Sequence, residues 1–328
     1  MRDDLLLHLE EQAGQRNKPA KGKTFAEVAE EWMKVKCIPN TEKQNVKRQQ
    51  RRLDHYVLPA LGDMECRAIT APLVLQLLRQ IEAEGHNDLA HAVATLISMI
   101  LRFGVACGYT DRDVIPDLRG ALMPIRVTHY ASIHQPTEIG ELLRRIESLP
   151  PCVTKFGLLL CAHTFCRPGE VREAKWSEFD FDRSEWHSPA ARMKMRKPHI
   201  VPLSRQVVAL LSQVKQFCSA SEYVLPSQYN PKKCIGADIF RAAFRRLGYD
   251  AGMMTAHGFR SMASTVLNEH GWPSDAIERQ LAHGEHNKVR VAYNYAEFLD
   301  VRRKMIQWYS DFLEAVKSWR PIPSLPRH

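Results

Sequence analysis

In the second half of this 328-residue chain, four short segments each set a cation or an imidazole among tight-turn residues. They are CRPGEVR with Arg167, RMKMRKPH with Lys194, HGFR with His257 and Arg260, and LAHG with His283. Two phenols follow His283 at ten and twelve residues, Tyr293 and Tyr295. A phenol is a candidate nucleophile, and a guanidinium is a planar, permanently charged fork that suits an oxyanion. Taken singly, each segment has a plainer reading as an ion pair, a solvated loop or a structural histidine. Both tyrosines could equally be ordinary aromatics on a helix. A zinc site is not expected: His283 and His286 stand three apart, with His257 and His270 upstream, but no Cys or acidic partner sits at ligand spacing around them.

The charge pattern indicates what such groups would meet. The chain carries a formal charge of +9. Residues 1–120 hold 17 Lys/Arg and 17 Asp/Glu, so the whole excess lies beyond residue 120. A basic domain favours a polyanion, because each neutralised phosphate releases condensed counterions. Nucleic acid is therefore the expected partner. A membrane is not: the uncharged stretch between His91 and Arg102 is ten residues, short of a span. The N-terminal MRDDLLLHLEEQ has acids where a signal peptide needs a basic region, so a cytoplasmic location is expected. Eight cysteines without a CxxC pair read as reduced thiols.

The elements that must position these groups are mostly helical. Residues 1–23 read as a helix fragment and a joint. Thr24 then caps a helix with Glu27 three residues on, and Phe25, Val28, Ala29 and Trp32 form its apolar side. A second helix runs from about Thr41 to Tyr56, stopped by Pro59 and Gly62, and two more are closed by glycines. On the second helix Lys43, Lys47 and Arg51, with Arg48 and Arg52 beside them, make a basic stripe opposite Val46, Leu53 and Val57. Only Glu42 lies close enough to neutralise the stripe, which favours phosphate contact over a merely solvated face. A linker is expected at 120–136. Beyond it come two helices, a strand, a turn and a strand over SEWHSPAARMKMRKPHIVPLS, and helices to the end.

The order and spacing of Arg167, Lys194, His257, Arg260, His283 and a tyrosine resemble the motif set of the tyrosine recombinases of the phage integrase family. RPGEVREAKWSEFDFD, RMKMRKPHIVPLS, HGFRSMASTVLNEHG and AYNYAEFLDVRRKMIQWYSDFL are similar to the genomic-island and satellite-phage branch. The resemblance implies a mainly α fold with a small β-sheet. A helical core-binding domain would occupy 24–119, and a catalytic domain with a C-terminal docking helix 137–328.

Cleaving a phosphodiester without a metal or cofactor needs a nucleophile, cationic clamps for the nonbridging oxygens and an acid for the departing 5′ oxygen. By the resemblance, Arg167 and Arg260 are the clamps and Lys194 the acid, with Lys197 as fallback. His257 handles the nucleophile's proton, His283 hydrogen-bonds the phosphate, and Tyr293 is the nucleophile. Glu170 is expected to orient Arg167. Tyr295 falls where the branch commonly carries a basic residue. A phenolate leaves more readily than an alkoxide, so a 3′-phosphotyrosyl bond stays reversible and no ATP is needed. Phe298, Val301, Met305, Trp308 and Phe312 predict an amphipathic final helix with Arg302, Arg303 and Lys304 on its other side. That helix either packs on its own domain or reaches a neighbouring protomer.

The implied partners are double-stranded attachment-site DNA, three further copies in a tetramer, and a directionality factor or DNA-bending protein. Members of the branch usually begin with an arm-binding domain, and only about twenty residues precede Thr24 here. The expectation is a chain lacking most of that domain, impaired in integration but able to cleave. Two alternatives stand beside the recombinase: a catalytically silent remnant occupying attachment sites, and a monomeric type IB topoisomerase.

Overall fold

The structure, a computed structural model, describes residues 22–125, 131–192, 197–218, 220–282 and 298–326. The chain divides into two compact units, Met1–Val127 and Thr128–His328.

In the first unit, the Thr24 hydroxyl accepts from the Glu27 N–H at 3.3 Å and the Glu27 carboxylate accepts from the Thr24 N–H at 2.8 Å. This reciprocal cap starts α1 (Phe25–Trp32), which buries Phe25, Val28, Ala29 and Trp32. α2 (Lys43–Arg52) follows. The sequence pattern ends this helix at Pro59 and Gly62, whereas the helical path runs through Pro59 into α3 (Leu58–Leu61). Proline has no N–H to donate and its ring crowds the carbonyl four residues back. The preceding turn, Leu53–Val57, relieves this by widening, with the Leu58 N–H donating to the Leu53 carbonyl. The same device precedes Pro39, where the Ile38 N–H donates to the Met33 carbonyl.

α4 (Ala71–Ala83) and α5 (Asn87–Ala106) complete this unit's core. By length and composition α5 could cross a membrane, although its uncharged stretch alone is too short to suggest one. Its Ala90, Val93, Ala94, Ile97, Ile100 and Leu101 are instead buried in a core shared with Val28, Leu53 and Leu78.

The second unit is built around α7 (Val153–Thr164), buried along almost its whole length, with α6 (Pro136–Glu147) beside it. A short α8 (Pro168–Arg172) leads to an antiparallel sheet, β1 (Phe179–Asp180), β2 (Glu185–Ser188) and β3 (His199–Pro202), in the order β1-β2-β3. Glu185 pairs with Pro202 and Ser188 with His199, so Lys194 falls in the β2–β3 connection. α9 (Arg205–Phe217), α10 (Ile239–Arg246), α11 (Gly258–Glu269), α12 (Ser274–Gln280) and α13 (Leu299–Lys317) follow. Between α9 and α10 the described residues form no helix: bridges Lys175–Tyr223 and Pro226–Cys234 pin a loop there.

α13 lies against α6 and α7. Gly140 permits the approach to α6, since a Cβ there would sit 2.3 Å from the Val316 carbonyl. Met305, Trp308 and Phe312 are buried in this unit's own core. Arg302 departs from the amphipathic reading: it is 3% exposed, not on the outer side. Its acceptors belong to β3 and α12, elements that the period of a single helix cannot bring into view.

Candidate active site

α7 ends on Phe165, held in the left-handed region at φ 41° and fully buried. α12 runs out through Leu281 to Ala282, also left-handed at φ 48°. For residues with a Cβ this conformation costs about a kilocalorie or more, and it persists where packing over-determines it. Both residues turn carbonyls onto arginines. Arg260 donates to the Phe165 carbonyl at 2.9 Å and to the Leu281 carbonyl at 2.5 Å. Arg167 donates to the Ala282 carbonyl at 2.9 Å and to Glu170 Oε1 at 2.8 Å. Glu170 Oε2 also accepts from the Arg167 N–H at 3.1 Å, closing the start of α8.

Two sequence-distant guanidinium groups thus end on consecutive carbonyls, and these bonds use only part of each five-donor fork. Burial, and then the Arg167 charge, lower the Arg260 pKa from its ordinary value, and a guanidinium keeps its proton regardless. His257 stands at the N-cap of α11, its carbonyl accepting from the Arg260 N–H at 3.1 Å. That helix start, with a guanidinium in its first turn, favours an anion.

His199 reports the same field. Burial first, then Arg302, Arg279, Arg167 and Arg260, push its pKa down to about 3, so the imidazole is neutral at physiological pH. Among the described residues, no His, Cys, Asp and Glu cluster suits a metal. The thiol beside Arg167 is not a ready nucleophile, because burial pushes Cys166 up to about 12. Nor is Tyr309, whose phenol is buried in the core and shifted upward by that burial.

Of the sequence-derived candidates, Arg167, Glu170, His257 and Arg260 are described and lie at this one place. Lys194, His283, Tyr293 and the alternative Tyr295 lie outside the described residues. Lys197, the fallback lysine, is exposed just before β3. Two supports lie within the quoted segments but carried no assigned role. Arg192, two residues before Lys194, pairs with Glu178 and donates to the Glu170 carbonyl at 3.3 Å. Arg302 donates to Gln280 and to the Ile200 carbonyl, at 2.6 Å each.

In the first unit, Lys43, Lys47, Arg48 and Arg51 are exposed and Arg52 half-buried. Among the described residues none of the five forms an ion pair with a carboxylate.

Residues 135–299 match the phage integrase family, and residues 25–121 match the phage integrase central domain. The chain is 36% identical over 307 residues to the integrase of Enterobacteria phage P4, covering 89% of this chain and 69% of that one. It is 34% identical over 316 residues to the prophage integrase IntA of Escherichia coli, covering 95% and 75%. Among solved structures, a lambda integrase tetramer bound to a Holliday junction superposes with a TM-score of 0.67 at 15% identity, over 88% of this chain and 87% of that one. The Tn1549 transposon integrase in complex with circular intermediate DNA gives 0.65 at 11%, over 86% and 99%.

Proposed function

This chain belongs to the phage integrase family, and from that premise we propose that it cuts and rejoins double-stranded DNA at specific sites through a 3′-phosphotyrosyl intermediate. Arg167 and Arg260 hold the nonbridging oxygens of the scissile phosphate as charge builds on them. The Tyr293 oxygen attacks phosphorus, its proton passing to His257. The P–O5′ bond breaks, and the 5′ oxygen leaves with a proton from Lys194. His283 hydrogen-bonds the phosphate throughout. A 5′-hydroxyl from the partner strand then attacks the phosphotyrosine, restoring both a phosphodiester and the phenol. Bond count is conserved at each step, so no ATP or cofactor enters.

The observation that carries this reading is the arginine pair, buried Arg260 and half-buried Arg167, fixed on the Leu281 and Ala282 carbonyls immediately ahead of His283. Residues 24–119 act as the core-binding domain, with Lys43, Lys47, Arg48, Arg51 and Arg52 on phosphates, and 137–328 as the catalytic domain. The assembly is a tetramer on two duplexes, joined by a directionality factor or DNA-bending protein; the similar lambda integrase forms a tetramer bound to a Holliday junction. The reaction takes place on cytoplasmic DNA, from a prophage or genomic island.

The test is covalent capture on a denaturing gel. The wild-type chain is given a nicked duplex carrying the core sequence it enriches from a randomised pool, beside Tyr293→Phe and Tyr295→Phe. Adduct lost only in Tyr293→Phe is the expected result. Loss only in Tyr295→Phe moves the nucleophile by two residues, and no wild-type adduct on a duplex it binds overturns the reading in favour of a silent DNA-binding remnant.

A further inference from the structure

Arg302 is a full charge at 3% exposure, a location that costs several kilocalories unless its donors are satisfied. Its partners come from two other elements. Nε and Nη2 donate to Gln280 Oε1 at 3.0 and 2.6 Å, Nη2 donates to the Ile200 carbonyl at 2.6 Å, and Nη2 lies 3.1 Å from His199 Nε2. Nη2 has two hydrogens, directed to the Gln280 and Ile200 oxygens at 2.6 Å, so the His199 contact is a longer, shared one in which Nε2 can only accept. Gln280 is completely buried, and its amide donates onward to the Thr164 carbonyl at 3.3 Å, next to the Phe165 whose carbonyl holds Arg260.

Gln280 stands three residues before His283, Arg302 nine after Tyr293, and His199 five after Lys194. One guanidinium therefore joins the point where the chain leaves for His283 and Tyr293, the point where it returns, and the strand by which it returns from Lys194.

We propose that Arg302 is a positioning residue for strand cleavage: with Gln280 and β3 it clasps the bases of the two segments carrying the tyrosine nucleophile and the lysine acid, setting them in register with the arginine pair. This rests on the function proposed above. Arg302 touches no reacting atom. Its effect is on geometry, where a misplacement of about 1 Å costs on the order of 100-fold in rate.

The experiment measures single-turnover cleavage of the enriched, nicked duplex at saturating DNA, together with duplex affinity and thermal midpoint, for the full chain. Arg302→Met keeps the volume and removes the clasp. The expected loss is roughly 100-fold in cleavage rate, with affinity within about threefold. Gln280→Met should reproduce most of that loss, and Gln280→Glu, which keeps an acceptor for the guanidinium, should recover most of the rate. The double variant Arg302→Met/Gln280→Met should be no slower than the slower single, since both remove one linkage. If Arg302→Met does not fold, the two Gln280 variants decide the matter by the same rates. Undiminished cleavage in folded variants, or a loss confined to affinity or thermal midpoint, overturns the clasp while leaving the recombinase reading intact. Absence of wild-type adduct overturns both.

Discussion

Positive charge is handled in opposite ways in the two units. On α2, Lys43, Lys47, Arg48 and Arg51 stand in solvent without carboxylate partners among the described residues. In the second unit Arg260 and Arg302 are almost fully buried, and Arg167 exposes 19% of its side chain, each ended on carbonyls or amide and carboxylate oxygens. An exposed cation adapts to any phosphate within reach, and its contribution is screened by salt. A buried guanidinium held on fixed carbonyls has lost its rotamer freedom before substrate arrives, so it stabilises developing charge without reorganising. The first arrangement suits holding DNA, and the second suits chemistry on one phosphate.

The sharpest break of that comparison is Arg260→Ala. Cleavage at saturating duplex should fall roughly 100- to 1000-fold with affinity nearly unchanged, measured by single-turnover adduct formation. Arg260→Lys should rescue little, because an ammonium cannot bridge the Phe165 and Leu281 carbonyls while facing an oxyanion.

Buried ionisable groups in the second unit should also make it acid-sensitive. His163 is buried, with its Nδ1 3.0 Å from the Ser310 hydroxyl. Burial pushes its pKa down to about 4, outweighing the raising effect of Glu314 and Glu147, while the Lys317 charge adds to the lowering. Above the ordinary histidine value near 6.5 both folded and unfolded states are neutral and the contribution is intact. As pH falls from 6.5 towards 4 the unfolded chain takes the proton first, and roughly 3 kcal/mol of stability is lost. Urea unfolding followed across that window should show the slope, and His163→Gln should lessen it, leaving the part due to His199.

The α2 stripe should give the reverse of Arg260. Lys47→Ala or Arg51→Ala should leave saturated cleavage unchanged, weaken binding severalfold at moderate salt, and lower the salt slope by about 0.9 for each phosphate no longer neutralised. A stripe variant with wild-type affinity and slope would break the comparison. Smallest of all, Thr24→Ala removes the cap of α1 and should cost about 1 kcal/mol in unfolding, with no change in either DNA readout.

Much of this architecture was legible in the residues. The Thr24–Glu27 cap, the apolar period of α1 and α13, and the strands before and after Lys194 are local patterns, governed by interactions within a few positions. Pro59 misled the reading because the relief of a proline depends on the width of the preceding turn, which core packing at Leu53 and Val57 stabilises. The motif order singled out Arg167, His257 and Arg260, and Glu170 was read from its place one turn after Arg167; that these four lie together is visible only in the fold.

Sequence by itself therefore determined the residue types that could act on a phosphate, their order, the excess of positive charge beyond residue 120, and the helical periods that carry them. Tertiary structure alone decided which of those charges are buried and what holds them. Arg260 with Phe165 and Leu281, Arg167 with Ala282, and Arg302 with Gln280 and Ile200 are pairings between elements far apart in the chain. A buried guanidinium is stable only where carbonyl and side-chain oxygens converge on it from several elements. That convergence exists only once the core has packed, so no local pattern encodes it.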